Sequence, residues 1–134
     1  MHRNALIGLA IAVAAGLALS FWPRTTSQPQ SGGEVKLPVN FTSAAQNGRK
    51  LFDANCSVCH GANASGTGNG PPLVHLIYEP GHHSDASFYR AAEFGVQGHH
   101  WPFGNMPAIK TVTRDDVTNI ISYVRELQRA NGIN

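Results

Sequence analysis

The stretch Leu51–Gly66, LFDANCSVCHGANASG, contains both cysteines of this 134-residue chain, and only two residues separate them. A histidine, His60, directly follows the second cysteine, Cys59. Three kinds of site use such a pattern: a redox-active dithiol, one half of a zinc site, and the attachment point of a covalent haem. Which of the three is present decides both the fold around the motif and the chemistry of the protein.

The rest of the sequence favours haem attachment. A thioredoxin-type dithiol needs a βαβ context, and no strand pattern precedes Cys56. A structural zinc site needs four ligands, usually in two spaced pairs, and the histidines elsewhere in the chain lack that spacing. Two thiols about a helical turn apart can instead each add to a haem vinyl group, with the adjacent imidazole beneath the iron. We therefore predict one haem c, attached through Cys56 and Cys59, with His60 as an iron ligand.

The second axial position of the iron has one candidate methionine. The chain contains two methionines, and one of them is the initiator. The other, Met106, follows Gly104 and precedes Pro107, a setting that lets the backbone approach a cofactor closely and holds the side chain stiffly. A methionine that merely fills a gap in the core is the alternative. We predict that Met106 is the second iron ligand.

The N-terminal residues 1–22 form a separate part, with a short basic start and an apolar run from Ala5 to Trp22. This run is close to the lower limit for a membrane span. We expect an uncleaved membrane anchor, with aromatic residues at its interfacial end. A cleaved signal peptide, which would leave a soluble protein, is the alternative. Both interpretations place the remainder of the chain outside the cytoplasm.

Residues 23–40 are rich in Pro, Gly, Ser, Thr and Gln and lack apolar periodicity, which predicts a flexible linker. The predicted domain then covers residues 41–134, in which seven Lys/Arg balance seven Asp/Glu. No basic run or basic-aromatic patch is present, so nucleic acid is not an expected partner.

The domain is predicted to be all-α with long loops, because no alternating strand pattern of useful length occurs in it. One helix begins after Thr42 or Ser43 and runs into the cysteines. A short helix is expected between Ser84 or Asp85 and Gly95. The last helix has Thr113 and Asp116 as a capping box and Gly132 after its end. Its apolar face consists of Val117, Ile120, Ile121, Val124 and Leu127.

Residues 41–134 resemble a known family, the class I (mono-haem) cytochromes c. Gly48, Phe52 and Cys56 recur at intervals of four, as in the N-terminal helix of that family. Ile120 and Tyr123 resemble the residues of the family's C-terminal helix that pack against this N-terminal helix where the two helices cross. The resemblance implies three or more helices around one covalent haem, with the glycine permitting a close crossing of the two terminal helices.

Two short motifs extend this resemblance. The sequence GPPL at residues 70–73 is similar to a Gly-Pro-x-Leu motif of the family, which implies that the Pro71 carbonyl accepts a hydrogen bond from His60. The sequence NMPA, which contains Met106, is similar to the axial loop. The chain departs from the most familiar members in having no lysine-rich docking ring, and this puts a mitochondrial type of electrostatic partnership in doubt.

The segment between Tyr78 and Trp101 is unusually rich in histidine, with pairs at His82-His83 and His99-His100. The simplest interpretation is that these are polar loop histidines. A more specific interpretation places His99 or His100 near the haem edge, as a proton-linked group, a partner of a haem propionate or an iron ligand in place of Met106. The two pairs could also bind a second metal ion. Trp101 either donates its indole N–H to a haem propionate or simply packs.

The resemblance implies an electron carrier with His/Met ligation that moves electrons between membrane respiratory components. Its expected partners are redox proteins, with the membrane contacted through residues 5–22 and no small-molecule substrate. A haem enzyme or gas sensor with a labile sixth ligand is one alternative. A haem subunit of a larger oxidoreductase complex is another.

Overall fold

The computed structural model describes residues 33–134. Within this range the chain is mostly helical and contains no β-strand, only two isolated bridges. Four α-helices are present in the described residues: α1 (Ser43–Asn55), α2 (Ser57–His60), α3 (Asp85–Phe94) and α4 (Arg114–Ala130). Short 3₁₀ helices lie at Ala62–Ala64 and Leu76–Tyr78. The prediction of a helical domain with long loops is confirmed for this part of the chain.

The predicted anchor at residues 1–22, and with it the predicted N-terminal hydrophobic helix, lies outside the described residues. Of the helices in residues 33–134, none is both long and apolar enough to cross a bilayer. The described part of the predicted linker, residues 33–40, has no helix, yet it contacts the domain. The Lys36 N–H donates to Asn131 Oδ1, and Asn131 Nδ2 donates to the Lys36 carbonyl, both at 2.9 Å. Val35 packs against the core, so the packed unit begins before Phe41.

Helices α1 and α4 cross in close contact, and this crossing forms the centre of the core. A Cβ atom at Gly48 would lie 1.9 Å from the Asn119 carbonyl oxygen, so only glycine fits there. Four residues further along α1, Phe52 is fully buried and its ring centroid lies 5.6 Å from that of Tyr123. The close crossing that the resemblance implied is therefore present.

Helix α4 forms where the sequence predicted it, because its start and its buried face are both encoded locally. The Thr113 hydroxyl accepts from the Asp116 N–H at 3.2 Å, and Asp116 Oδ2 accepts from the Thr113 N–H at 2.8 Å. This reciprocal capping box satisfies two backbone donors at the helix start. All five residues of the predicted apolar face are buried. Helix α4 buries three further residues, Tyr123, Arg125 and Gln128.

We expect Asp116→Asn to lower the melting temperature at neutral pH and to have a smaller effect in acid. Bonds from the Thr113 N–H and hydroxyl lower the pKa of Asp116 below its ordinary value of 3.8. A carboxyl group with a lowered folded-state pKa stabilises the fold above the unfolded value, and this contribution disappears as pH falls through the folded value. Melts between about pH 7 and about pH 3 would measure the effect.

Asp115→Asn is the matched control, since it removes the same charge from the same helical turn without touching the capping box. The assignment of this pH-dependent stabilisation to the Asp116 carboxylate would be contradicted if wild type and Asp116→Asn differed in melting temperature by the same amount across this pH range.

Candidate cofactor site

The two cysteines lie at the junction of α1 and α2. The Cys56 N–H donates to the Phe52 carbonyl at 2.8 Å, and the His60 N–H donates to the Cys56 carbonyl at 2.9 Å. The motif therefore occupies one helical turn that continues directly from α1. Both thiols are free and half-buried. Cys59 lies on α2 next to His60, so the three groups share one short segment.

The structure weakens both alternatives to haem attachment. Burial, and secondarily the neighbouring Cys59, raises the pKa of the Cys56 thiol to about 11. Redox-active dithiols instead need a thiol whose pKa is lowered. Among residues 33–134, the group of converging metal-ligand atoms is formed by histidines alone and includes neither cysteine. A zinc site at Cys56 and Cys59 consequently has no second pair of ligands nearby within the described part of the chain.

His60 is held in one orientation by Pro71. Its Nδ1 atom lies 2.9 Å from the Pro71 carbonyl oxygen. A carbonyl can only accept, so Nδ1 carries the hydrogen and Nε2 retains its lone pair. Burial lowers the pKa of His60, and the bond to Pro71 opposes that change. The result is a buried, neutral imidazole with one nitrogen available to a metal, which is the form that iron ligation requires.

A cavity of about 670 Å³ lies beside this imidazole. Its wall includes Phe52 from α1, Cys56 from the junction and His60 from α2. Trp101 and Met106 come from the loop after α3. The volume is within the range of cofactor pockets. The structure therefore brings five of the six predicted site residues to one cavity, all but Cys59: Cys56, His60, Pro71, Trp101 and Met106.

Met106 is fixed to the end of α3 by its backbone. Its N–H donates to the Val96 carbonyl and its carbonyl accepts from the Val96 N–H, each at 2.9 Å. Gly95 ends α3 with φ of +78°, and a Cβ atom there would lie 2.5 Å from the Met106 carbonyl oxygen. Gly95 thus permits the close approach of the two chain segments. Its only sequence signal was its position as the stop of α3.

Trp101 contributes an unusual polar group to the cavity wall. Among the described residues, its Nε1 atom is the buried side-chain nitrogen or oxygen that has no hydrogen-bond partner. The ring stacks on Phe103 with centroids 6.0 Å apart. Burial raises the pKa of the nearby Tyr78 phenol, and the proximity of the Trp101 N–H partly opposes this increase. The phenol and the indole N–H are nevertheless not in hydrogen-bond geometry, so the indole N–H has no acceptor. A buried donor without an acceptor costs about 1–3 kcal/mol, so a bound group with an acceptor at this point would be stabilised.

The two histidine pairs come together at the mouth of the cavity. His82 Nε2 lies 3.4 Å from His100 Nε2. The rings of His83 and His99 are close to His100, with centroids 5.4 Å and 4.3 Å away. Partial desolvation lowers the pKa of His100, and the charges of His99, His83 and His82 add to this. His83, His99 and His100 line the cavity.

Arg125 is a structural residue of this region to which the sequence analysis assigned no role. Its side chain is buried and donates to Asp85 Oδ1 at 2.9 Å, to the Tyr78 carbonyl at 2.7 Å, and to the His83 carbonyl. Gln128 donates to the Leu73 and Tyr78 carbonyls. Together the two side chains fix the segment from Leu73 to His83, which forms one wall of the cavity.

Arg125→Ala is expected to destabilise the holoprotein by about 3 kcal/mol, because it leaves several buried acceptors without a donor. Asp85→Ala should cost less than about 1 kcal/mol, since the Asp85 side chain is 60% exposed whereas that of Arg125 is 8% exposed. Guanidinium unfolding of both variants measures the difference. Equal losses would mean that the ion pair, and not the bonds to backbone carbonyls, supplies the stabilisation.

A thiol pair and a tautomer-fixed histidine beside one cavity, on an all-helical domain, define the class of proteins that carry a covalent haem. The sequence model of the family Cytochrome c matches residues 45–128. The chain belongs to the cytochrome c family. Membership implies covalently bound haem c and a role in electron transfer.

Individual proteins that are similar to this chain include a thiosulfate dehydrogenase and a cytochrome CL. A thiosulfate dehydrogenase from Psychrobacter arcticus is 30% identical over 112 residues, which are 77% of this chain and 33% of that protein. The chain thus spans about a third of the length of this relative. The crystal structure of cytochrome CL from Methylophaga aminisulfidivorans is similar over 80% of this chain and 71% of that one, at 25% identity and a TM-score of 0.45.

The residues at the cavity fit a haem c. The donor set consists of two free thiols one helical turn apart, a neutral imidazole and a thioether, which matches haem attachment and axial ligation. The unpartnered indole N–H of Trp101 suits a carboxylate, which a haem carries as a propionate.

Proposed function

We propose that this protein is a class I electron-transfer cytochrome c, with one haem attached through Cys56 and Cys59 and with His60 and Met106 as axial ligands. The observation that carries the proposal is the placement of His60 and Met106 in the wall of one cavity. Both are held by main-chain groups, His60 by the Pro71 carbonyl and Met106 by Val96. Ligands held in this way can remain in place in both oxidation states.

The side chains around the cavity favour electron transfer over substrate chemistry. When bound, the haem supplies a one-electron iron couple. The bond to Pro71 would leave the other nitrogen of His60 free to hold the iron, and the Met106 thioether would be the second protein ligand. With both ligands bound, the iron would have no open position for oxygen or a substrate. Methionine as the second ligand raises the reduction potential, which suits a carrier between respiratory redox proteins.

The proposed cell location rests on the sequence of residues 1–22 alone. We propose that this segment anchors the domain to the periplasmic face of a bacterial cytoplasmic membrane, where it exchanges electrons with redox protein partners. Fractionation and N-terminal sequencing of the mature protein test this. A mature chain that begins near residue 21 and is recovered without detergent would show a cleaved signal peptide instead.

The visible spectrum of the purified holoprotein is the direct test of the axial ligands. We expect a low-spin haem in both oxidation states, with the far-red charge-transfer band of the oxidised form that marks iron–methionine bonding. We also expect slow binding of carbon monoxide to the reduced form. A high-spin spectrum with fast carbon monoxide binding would support the alternative of a haem enzyme or gas sensor.

A second candidate, a haem subunit or module of a larger oxidoreductase, is favoured by the similarity to a thiosulfate dehydrogenase. Because the chain corresponds to only 33% of that protein, an activity of the whole relative need not reside in this part. Thiosulfate added to the oxidised protein distinguishes a pure carrier from a module that is itself catalytic. A pure carrier shows no thiosulfate-dependent haem reduction, whereas a catalytic module does.

Trp101→Phe tests whether the indole N–H contacts the haem. The substitution retains an aromatic ring against Phe103 and removes the donor together with part of the bicyclic ring system. We expect the reduction potential to fall by roughly 20–60 mV, the one-electron equivalent of about 0.5–1.4 kcal/mol for a lost hydrogen bond. A redox titration measures it. An unchanged potential would leave Trp101 with a packing role.

A further inference from the structure

The histidine cluster at the mouth of the cavity has the geometry of a metal site that is separate from the haem ligands. It draws on two loops: His82 and His83 precede α3, and His100 follows it. One ring nitrogen from each of the three lies within 4.8 Å of the others. His100 is 17 positions from His83 in sequence, yet the fold brings its imidazole to the same point as those of His82 and His83.

The distance between two of these nitrogens matches tetrahedral coordination. His82 Nε2 and His100 Nε2 are 3.4 Å apart. Zinc–nitrogen bonds of about 2.0–2.1 Å at a tetrahedral angle place the two nitrogens about 3.3–3.4 Å apart. An ion between them would use both lone pairs, whereas a direct hydrogen bond uses only one. The pair is therefore spaced for an ion without a change of backbone.

The third histidine is oriented by the protein. His83 Nδ1 lies 2.6 Å from the Ile77 carbonyl, so Nδ1 carries the hydrogen and Nε2 is left as the coordinating atom. Bonds of this kind, from the second ring nitrogen to a carbonyl, are typical of histidine ligands. The turn that presents His82 and His83 is itself fixed, since both N–H groups donate to the Glu79 carbonyl, at 3.0 and 2.8 Å.

The donor set determines the kind of ion. The three-histidine group contains no carboxylate, which excludes the hard cations Ca²⁺ and Mg²⁺ because they need oxygen ligands. Imidazole suits Zn²⁺ and Cu²⁺. His99 is not among the converging donors, and its Nδ1–H donates to the Gln97 carbonyl at 2.8 Å. Three ligands leave a fourth position for water.

We propose that His82, His83 and His100 form a binding site for one divalent transition-metal ion of the Zn²⁺ or Cu²⁺ type, at the mouth of the haem cavity. The site uses none of the residues assigned to the haem. It is therefore independent of the proposed axial ligands, and either proposal can fail without the other.

Isothermal titration of the holoprotein with ZnCl₂ tests this site, in a non-chelating buffer at about pH 7.5, where imidazole is neutral. We expect one Zn²⁺ per chain with a dissociation constant in the micromolar range or tighter. The haem spectrum should stay unchanged, because the ion does not replace an axial ligand. The absence of saturable binding up to about 1 mM Zn²⁺, or a change of haem ligation at one equivalent, would overturn the proposal.

Single variants assign the ligands. His82→Ala and His100→Ala, both at exposed positions, should each weaken Zn²⁺ binding at least about 100-fold, beyond the effect of losing an outer contact. His99→Ala is the matched control, an exposed histidine in the same loop, and should leave the affinity within about threefold of wild type. An equal loss in all three variants would indicate a diffuse histidine patch and overturn the site. The haem spectrum of each variant checks that it has folded.

Discussion

Met106→Ala is expected to abolish the far-red charge-transfer band of the oxidised protein and to accelerate carbon monoxide binding to the reduced protein. The variant removes the thioether from the cavity that His60 also lines. An open or water-filled position remains, to which carbon monoxide binds directly. The reduction potential should fall by on the order of 100 mV, part of the roughly 0.8 V range that axial ligands span.

The backbone at Met106 should tolerate this change, because the two hydrogen bonds to Val96 involve only main-chain atoms. Ile109→Val is the matched control, since Ile109 lines the same cavity and the variant removes only one methylene. It should keep the band and the slow carbon monoxide binding. A band that persisted in Met106→Ala would exclude Met106 as the ligand. A low-spin spectrum without the band in the wild-type protein would point to His99 or His100 as the sixth ligand.

The helices could be predicted because their signals are local. The capping box of Thr113 and Asp116 lies within four residues, and the buried face of α4 repeats with the helical period. The stop of α3 at Gly95 is likewise encoded by one residue. The close crossing at Gly48 came from the family resemblance, because a glycine in a helix does not by itself reveal what passes next to it.

The cavity wall could not be predicted in this detail, because its contacts join residues far apart in sequence. Arg125 received no role from the sequence, because its partners are distant in the chain. Two of its acceptors are the carbonyls of Tyr78 and His83, 47 and 42 residues away, and a carbonyl carries no sequence signal. The convergence of the two histidine pairs depends in the same way on how the loops before and after α3 fold back.

Gly48→Ala is expected to lower the free energy of unfolding of the holoprotein by about 2–4 kcal/mol. Helix propensity alone predicts the opposite sign, since alanine is favoured over glycine by about 1 kcal/mol inside a helix. The added methyl group would lie 1.9 Å from the Asn119 carbonyl oxygen and 2.4 Å from its carbon. Backbone atoms cannot rotate away as a side chain can, so α1 and α4 must move apart.

That movement has consequences beyond the clash, because Phe52 and Tyr123 are fully buried in the same crossing. Separating the helices opens a gap between these rings and forfeits contact area, and Phe52 also lines the haem cavity. Guanidinium unfolding measures the loss, with Gly68→Ala as the control because nothing lies within 4 Å of a Cβ atom there. The control should change the free energy by less than about 0.5 kcal/mol. If Gly48→Ala were as stable as wild type, the two helices could not cross as closely as described, and the crossing would not be what anchors the cysteine-bearing end of α1.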